Sequence, residues 1–154
     1  MPTYQGVLQA QDLKIGLAVA RFNELVTKPL LEGAVSAFIR LGGEPDNLTV
    51  VWVPGSFELP LAVKRLLSRP EIQGVAALGA VIKGETAHFD FVAGPMSSGL
   101  MNVSLAADKP VALGVLTTDD LEQAQNRAGG KAGNKGAEVV FGLVETLQVL
   151  RALD

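Results

Sequence analysis

The chain has 154 residues, of which 48% are hydrophobic, and this length is typical of one domain with a sizeable core. Its formal net charge of −3 argues against a general nucleic-acid-binding protein, which would be basic. It has no cysteine and a single histidine, which excludes thiol chemistry, disulfides and a multi-histidine metal site within one subunit. Neither a signal peptide nor an apolar run of membrane-spanning length is evident, so the sequence predicts a cytoplasmic protein without membrane contact.

Short apolar runs alternate with segments of helical periodicity through the first half of the chain. Strands are predicted over 13–20 and 48–53, and each is followed by a helix, with Asn23 and Ser56 as candidate N-caps. Pro29 is compatible with the first helix only in its first turn, because a proline further along removes a helical hydrogen bond.

The second half continues the alternation. Strands are predicted over 74–81 and 110–118, and a helix over 88–107 is expected to bend or break at Gly94–Pro95. A short helix capped by Thr118 or Asp119 comes next. The glycine-rich stretch 129–136 then separates it from a long final helix over 137–153.

Four strands alternating with helices predict a three-layer α/β/α sandwich around a central, mostly parallel four-stranded sheet. The N-terminal segment 3–10 is a candidate fifth strand that pairs at an edge of the sheet or with a neighbouring subunit. The final helix is apolar beyond one stripe, which indicates either an oligomer interface or a thick core. We interpret residues 1–154 as a single domain.

Polar clusters follow each of the four predicted strands. Because ligands bind at the carboxyl ends of strands in open α/β sheets, we expect these clusters to form one rim. Their sequences are ARFN, PGSFE, KGETAH and TTDD. Phe22 and Phe57 would stack on a flat ring if exposed, or fill the core if buried. Glu58 would accept hydrogen bonds from sugar hydroxyls, or else compensate a helix dipole.

Two further segments favour binding of an anion. The backbone amides of Glu85 and Thr86 follow a glycine at a predicted helix start, where phosphate groups bind readily. His88 comes next, as either a proton-transfer group or a capping residue. Arg127 precedes the glycine-rich stretch 129–136, which contains Lys131 and Lys135 and either closes on a phosphate or remains a solvated loop. No nucleotide-binding fingerprint is present.

Read together, these clusters resemble the lumazine synthase family of riboflavin biosynthesis. The resemblance lies in GLAVARFN, VWVPGSFELP, ALGAVIKGETAHFDFVA and GVLTTDDLEQAQNRAGGKAGNKGAE, and it covers almost the whole chain. It implies a flavodoxin-like fold and the condensation of 5-amino-6-(D-ribitylamino)uracil with 3,4-dihydroxy-2-butanone 4-phosphate, with loss of phosphate and water. It implies no cofactor and no metal. It also implies a homo-oligomer built from pentamers, here a 60-subunit shell, with riboflavin synthase as a candidate partner.

The resemblance further implies roles for thirteen residues, among which His88 is the catalytic proton-transfer group. Those matched to the uracil ring are Phe22, Ala80, Val81, Ile82 and Leu113. Those matched to the ribityl chain are Ser56, Phe57 and Glu58. Those matched to the phosphate and its surroundings are Glu85, Thr86, Arg127 and Lys135. Leu113, Arg127 and Lys135 are expected to reach across from a neighbouring subunit, and Leu113 stands where the family usually has phenylalanine.

Two alternatives stay open at this point. One is a related riboflavin synthase of the archaeal type, which would dismutate lumazine instead of making it. The other is a non-catalytic shell or flavin-binding protein on the same fold. The complete VIKGETAHFD and RAGGKAGNKG segments favour the lumazine synthase.

Overall fold

The structure, a computed structural model, describes all residues from 1 to 154. The fold is built around a four-stranded parallel sheet. The strands lie in the order β2-β1-β3-β4, and their bounds are Ile15–Ala20 (β1), Leu48–Val53 (β2), Gly74–Ile82 (β3) and Val111–Thr118 (β4). The helices are Glu24–Arg40 (α1), Leu59–Leu67 (α2), His88–Ala107 (α3), Leu121–Arg127 (α4) and Lys135–Leu153 (α5). A small antiparallel hairpin of Ala128–Gly130 (β5) and Gly133–Asn134 (β6) precedes α5.

Helices cover both faces of the sheet, which confirms the predicted three-layer sandwich. One core of 20 buried residues lies under α1 and α5, and a second of 13 lies under α2 and α3. The larger core accounts for much of the apolar character of α5, because Val140, Leu143, Val144 and Leu147 all point into it. None of the helices has the length and apolarity needed to cross a membrane.

The N-terminal segment forms no strand, so the prediction of a fifth strand at an edge of this chain's own sheet is wrong. It runs instead along α5 and the end of α1. Gln148 Nε2 donates to Gln9 O (2.6 Å), and Ala10 N donates to Leu41 O (2.8 Å). These contacts hold the segment away from the sheet edges. Pairing with a neighbouring subunit stays a prediction.

Two prolines lie deeper in helices than their sequence context predicts. Pro29 is the sixth residue of α1, beyond the first turn, and α1 continues to Arg40. Likewise α3 runs through Gly94–Pro95 without a break. Met96 and Leu100, which follow that pair, are buried against the sheet, and this packing compensates for the missing hydrogen bond.

The helix caps also differ from expectation. Neither Asn23 nor Ser56 donates or accepts a capping hydrogen bond through its side chain. Asp120, not Thr118 or Asp119, caps α4, where Asp120 Oδ1 accepts from Gln123 N (2.8 Å). The side chain of Asn134 caps α5 by accepting from Ala137 N (3.2 Å).

Candidate active site

The turn after β1 brings Phe22 to the carboxyl edge of the sheet. As β1 ends at Ala20, the chain bends towards the end of β2, where Arg21 N donates to Val53 O (2.7 Å) and Phe22 N donates to Pro54 O (2.9 Å). Both bonds fix the backbone that leads into Phe22. Phe22 therefore presents a ring that is 71% exposed and available for stacking.

The end of β3 extends beyond its neighbour β1. The register between them stops at Val19–Leu78, whereas pairing with β4 continues to Ile82–Thr118. Lys83 N donates to Thr118 O (2.8 Å), so by strand alternation the peptide groups of Ile82 face the opposite side, where β1 has already ended. The carboxyl end of β3 thus offers backbone polar groups to a ligand at the edge of the sheet.

A short 3₁₀ turn, Ser56–Glu58, follows β2 and leads into α2. Ser56 is buried against Gly79 of β3, because a Cβ built on Gly79 would lie 2.7 Å from Ser56 Oγ. This close approach requires a glycine and sets the position of the turn. Phe57 and Glu58, by contrast, remain exposed at the same edge.

The turn after β3 places Thr86 two residues before the start of α3. Thr86 Oγ1 accepts a hydrogen bond from His88 N (3.4 Å), and His88 is the first residue of the helix. Glu85, Thr86 and His88 are all exposed. A hydroxyl and free backbone amides at the positive end of a helix favour an anion, and His88 lies beside that position.

These turns surround a cavity of about 670 Å³, which is within the usual range for small-molecule sites. It is lined by predicted site residues from three strand ends, namely Phe22, Ser56, Phe57, Glu58, Ala80, Val81, Ile82, Thr86 and His88. It is also lined by Asn23, Pro54, Gly55 and Gly84, which belong to the predicted rim clusters but were given no individual role. Residues that sequence reasoning did not assign to a site complete the lining, namely Phe89, Phe91 and Val92. Phe89 and Phe91 follow His88 in the same segment, so the strand-end rule extended by one helical turn would have found them.

Four predicted residues do not line this cavity. Glu85 is not part of the lining, although Gly84 and Thr86 on either side of it are. Leu113 lies in the edge strand β4, opposite Ala77, and is 47% exposed. Arg127 is exposed at the end of α4, where Nη1 donates to Gln123 O (3.0 Å), and Lys135 begins α5. The other lysines and arginines of the chain are also absent from the lining of the cavity.

Potential metal ligands are not grouped anywhere in the chain. No three or more His, Cys, Asp or Glu side chains lie together in a way that would hold a metal ion. The polar groups of the cavity are carboxylate, hydroxyl, amide and imidazole. They suit hydrogen bonding and proton transfer.

Comparison with known proteins gives one consistent result. The sequence profile of a family described as 6,7-dimethyl-8-ribityllumazine synthase matches residues 12–151. The protein of that name from Thermus thermophilus is 57% identical over 152 residues, which cover 99% of this chain and 97% of the relative. Those from Edwardsiella ictaluri and Lactiplantibacillus plantarum are 53% and 50% identical, over 99% of this chain and over 99% and 96% of the relatives. The chain therefore belongs to the 6,7-dimethyl-8-ribityllumazine synthase family.

Proposed function

We propose that the cavity at the carboxyl edge of the sheet is where this chain condenses 5-amino-6-(D-ribitylamino)uracil with 3,4-dihydroxy-2-butanone 4-phosphate. The product is 6,7-dimethyl-8-ribityllumazine, and phosphate and water are released. The observation that carries the proposal is the convergence of an exposed aromatic ring, a carboxylate, free backbone groups and the only histidine on one cavity. The names of the relatives support the same reaction.

The aminouracil fits the side of the cavity formed by the ends of β1, β2 and β3. Its flat ring would stack on Phe22 and present its polar edge to the peptide groups of Ile82. The ribityl hydroxyls would donate to the carboxylate of Glu58, which is exposed in the turn after β2. Ser56 and Phe57 complete this part of the cavity.

The butanone phosphate would bind at the start of α3. Its phosphate would accept from Thr86 and from the backbone amides of the turn, including that of Glu85. The ketone then lies next to the amino group of the uracil. Imine formation, phosphate elimination and ring closure follow, and each step moves a proton that His88 is placed to carry.

The aminouracil itself supplies the nucleophile in this reaction. No strongly activated protein group is needed, so most of the acceleration would come from holding two substrates together in a productive orientation. The acid–base contribution of His88 would be the smaller one.

A phosphate substrate also requires positive charge, and the lining of the cavity contains no lysine or arginine from the same chain. We propose that Arg127 and Lys135 of a neighbouring subunit supply it, and that Leu113 of that subunit covers the ring. All three lie outside the cavity of their own chain, and both Leu113 and Arg127 are exposed. The active unit under this proposal is an oligomer, and the family resemblance makes it a pentamer. A 60-subunit shell, enclosed riboflavin synthase and cytoplasmic location stay predictions.

The reaction is tested with purified protein and both substrates, without added metal. We expect lumazine fluorescence and inorganic phosphate to appear in equal molar amounts, because one phosphate leaves for each ring formed. Riboflavin formation from lumazine alone would identify the riboflavin synthase alternative instead. Binding of lumazine with no product in either assay would identify a non-catalytic binding protein.

A further inference from the structure

Asn23 has an unusual backbone conformation next to the cavity. Three non-glycine residues have positive φ angles, Asp12, Asn23 and Asp108, and only Asn23 lines the cavity. Its φ of 67° and ψ of 49° lie in the left-handed region, which asparagine tolerates better than most residues. At the start of a helix its side chain would ordinarily cap the free N–H groups, but it makes no such bond here.

The side chain instead bridges two elements that are far apart in sequence. Asn23 Nδ2 donates to Ala80 O at 3.0 Å, across 57 positions of the chain. Ala80 O faces the side on which β1 has ended, so no strand residue can serve as its donor. The neighbouring amides of Arg21 and Phe22 are already bonded to the end of β2. The side-chain amide of Asn23 therefore donates the hydrogen bond that a residue of a neighbouring strand would otherwise donate.

This bond joins the two walls between which a flat ring would lie. On one side, Asn23 directly follows Phe22, whose backbone N–H is fixed to Pro54 O (2.9 Å). On the other side, Ala80 lies two residues before Ile82, whose peptide groups face the cavity edge. Losing the bond would free the end of β3 to move relative to the aromatic ring.

We propose that Asn23 is a positioning residue for the aminouracil, which acts by fixing the end of β3 relative to Phe22. This inference rests on the proposed function, because it assigns the ring of that substrate to the space between the two walls. The phosphate-binding turn is held separately by Thr86 and the start of α3. Asn23 thus governs one substrate and not the other.

Two substitutions test this role. Asn23→Gly keeps the left-handed backbone and removes the amide, whereas Asn23→Asp keeps the size and replaces the donor by a charge that faces Ala80 O. We expect Asn23→Gly to raise the KM for the aminouracil about five- to tenfold, as the loss of one hydrogen bond does, and Asn23→Asp to raise it further. The KM for the butanone phosphate should change by less than about twofold in both variants.

The matched control is Asn47→Gly, which makes the same substitution at the amino end of β2 and should leave both KM values unchanged.

A second measurement does not depend on turnover. Hydrogen exchange in peptides that contain Ala80–Ile82 should accelerate in Asn23→Gly, with no change in peptides from α5. If the wild-type protein makes no lumazine, the proposed function is refuted. The hydrogen-exchange data would still decide whether Asn23 holds the end of β3 in place.

An unchanged KM for the aminouracil in a correctly assembled Asn23→Gly variant would overturn the proposal. So would a proportional rise in both KM values, since that result indicates a general loss of structure. Failure of both variants to fold would make Asn23 a structural residue and would overturn the proposal as well.

Discussion

His88 lies in the first turn of α3 with its imidazole exposed and its backbone N–H bonded to Thr86 Oγ1. We expect His88→Ala to lower kcat by up to about a hundredfold, the lower range for loss of a general acid or base. The dissociation constant of the aminouracil should stay nearly unchanged, because we propose that its ring binds to Phe22 and the end of β3 instead. Single-turnover kinetics and equilibrium binding separate the two effects. An unchanged rate would leave His88 with a structural role at the helix start.

Arg127 has no acidic partner within its own chain, and its guanidinium bonds only to the carbonyl of Gln123. We expect Arg127→Ala to raise the KM for the butanone phosphate about ten- to a hundredfold, which is typical for losing a hydrogen bond to a charged group. Arg127→Lys should recover part of this loss, since lysine keeps the charge without the bidentate geometry. Arg151→Ala, at the exposed end of α5, is the control. An equal effect on both substrates would mean that Arg127 is structural.

Leu113 is 47% exposed in the edge strand β4, so a larger side chain meets free space within its own chain. If Leu113 covers the ring in a neighbouring site, Leu113→Phe should tighten binding of the aminouracil about two- to tenfold, because aromatic pairs add attraction beyond area burial. Isothermal titration on the intact oligomer measures this change. Weaker binding would show that the neighbouring subunit has packed closely around leucine.

At the level of elements, sequence periodicity predicted the bounds of the four strands and of α3 and α5 to within two residues. It misplaced contacts that depend on tertiary structure. Asn23 reads as a cap, but its side chain bonds to Ala80, a residue that only the sheet brings close. Pro95 reads as a helix breaker, but buried packing around Met96 maintains α3. The local sequence around Asn23 and Pro95 does not reveal which distant residues each segment contacts in the folded chain.

Asn134 connects two helices that form the larger core. Its Oδ1 accepts from Ala137 N (3.2 Å) and caps α5, while its Nδ2 donates to Pro29 O (2.9 Å) in α1. Gly33 of α1 and Gly136 of α5 leave the space for this crossing, because a Cβ on Gly33 would meet the Asn134 side chain and one on Gly136 would meet Leu30 O. The contact therefore ties the start of α5, where Lys135 lies, to the middle of α1.

We expect Asn134→Ala to lower the free energy of unfolding by about 1–2 kcal/mol, the usual cost of losing an N-cap. Asn134→Asp should lose less, because the carboxylate still accepts from Ala137 N at the positive end of α5. This cap offsets both the lost bond to Pro29 O and the repulsion between that carbonyl and the new charge. Urea titration of both variants under conditions that preserve assembly measures the difference. Equal stability of Asn134→Ala and the wild type would contradict this account of the crossing.

At the level of the whole molecule, the strand-end rule predicted three of the loops that form the cavity, and the structure brings Phe22, Glu58 and His88 together there. The fourth predicted loop, TTDD after β4, does not line the cavity. The roles of these residues came from the family resemblance and not from geometry. The rule could not place Arg127, Lys135 or Leu113. These residues follow or lie in β4, yet they do not line the cavity of their own chain. Under our proposal they act in the cavity of a neighbouring subunit, which the strand order of one chain does not reveal.

A site completed by a neighbouring subunit can be tested by subunit mixing. The His88→Ala chain has a damaged cavity but an intact Arg127, whereas the Arg127→Ala chain has the reverse. Each variant alone should be nearly inactive with both substrates at low concentration. When the two chains are co-produced and assemble at random, about a quarter of the interfaces pair an intact cavity with an intact arginine, since each interface of a ring joins two different surfaces.

We therefore expect mixed oligomers to recover about a quarter of the wild-type kcat/KM. The control replaces the Arg127→Ala chain by the double variant that carries both substitutions, from which no intact site can form. Native mass spectrometry of the same samples gives the oligomer size and the ratio of the two chains. Pentamers, or a 60-subunit shell made of them, are expected. Mixed oligomers no more active than the control would place cavity and arginine in the same chain, and a monomer would remove the neighbouring subunit from the site altogether.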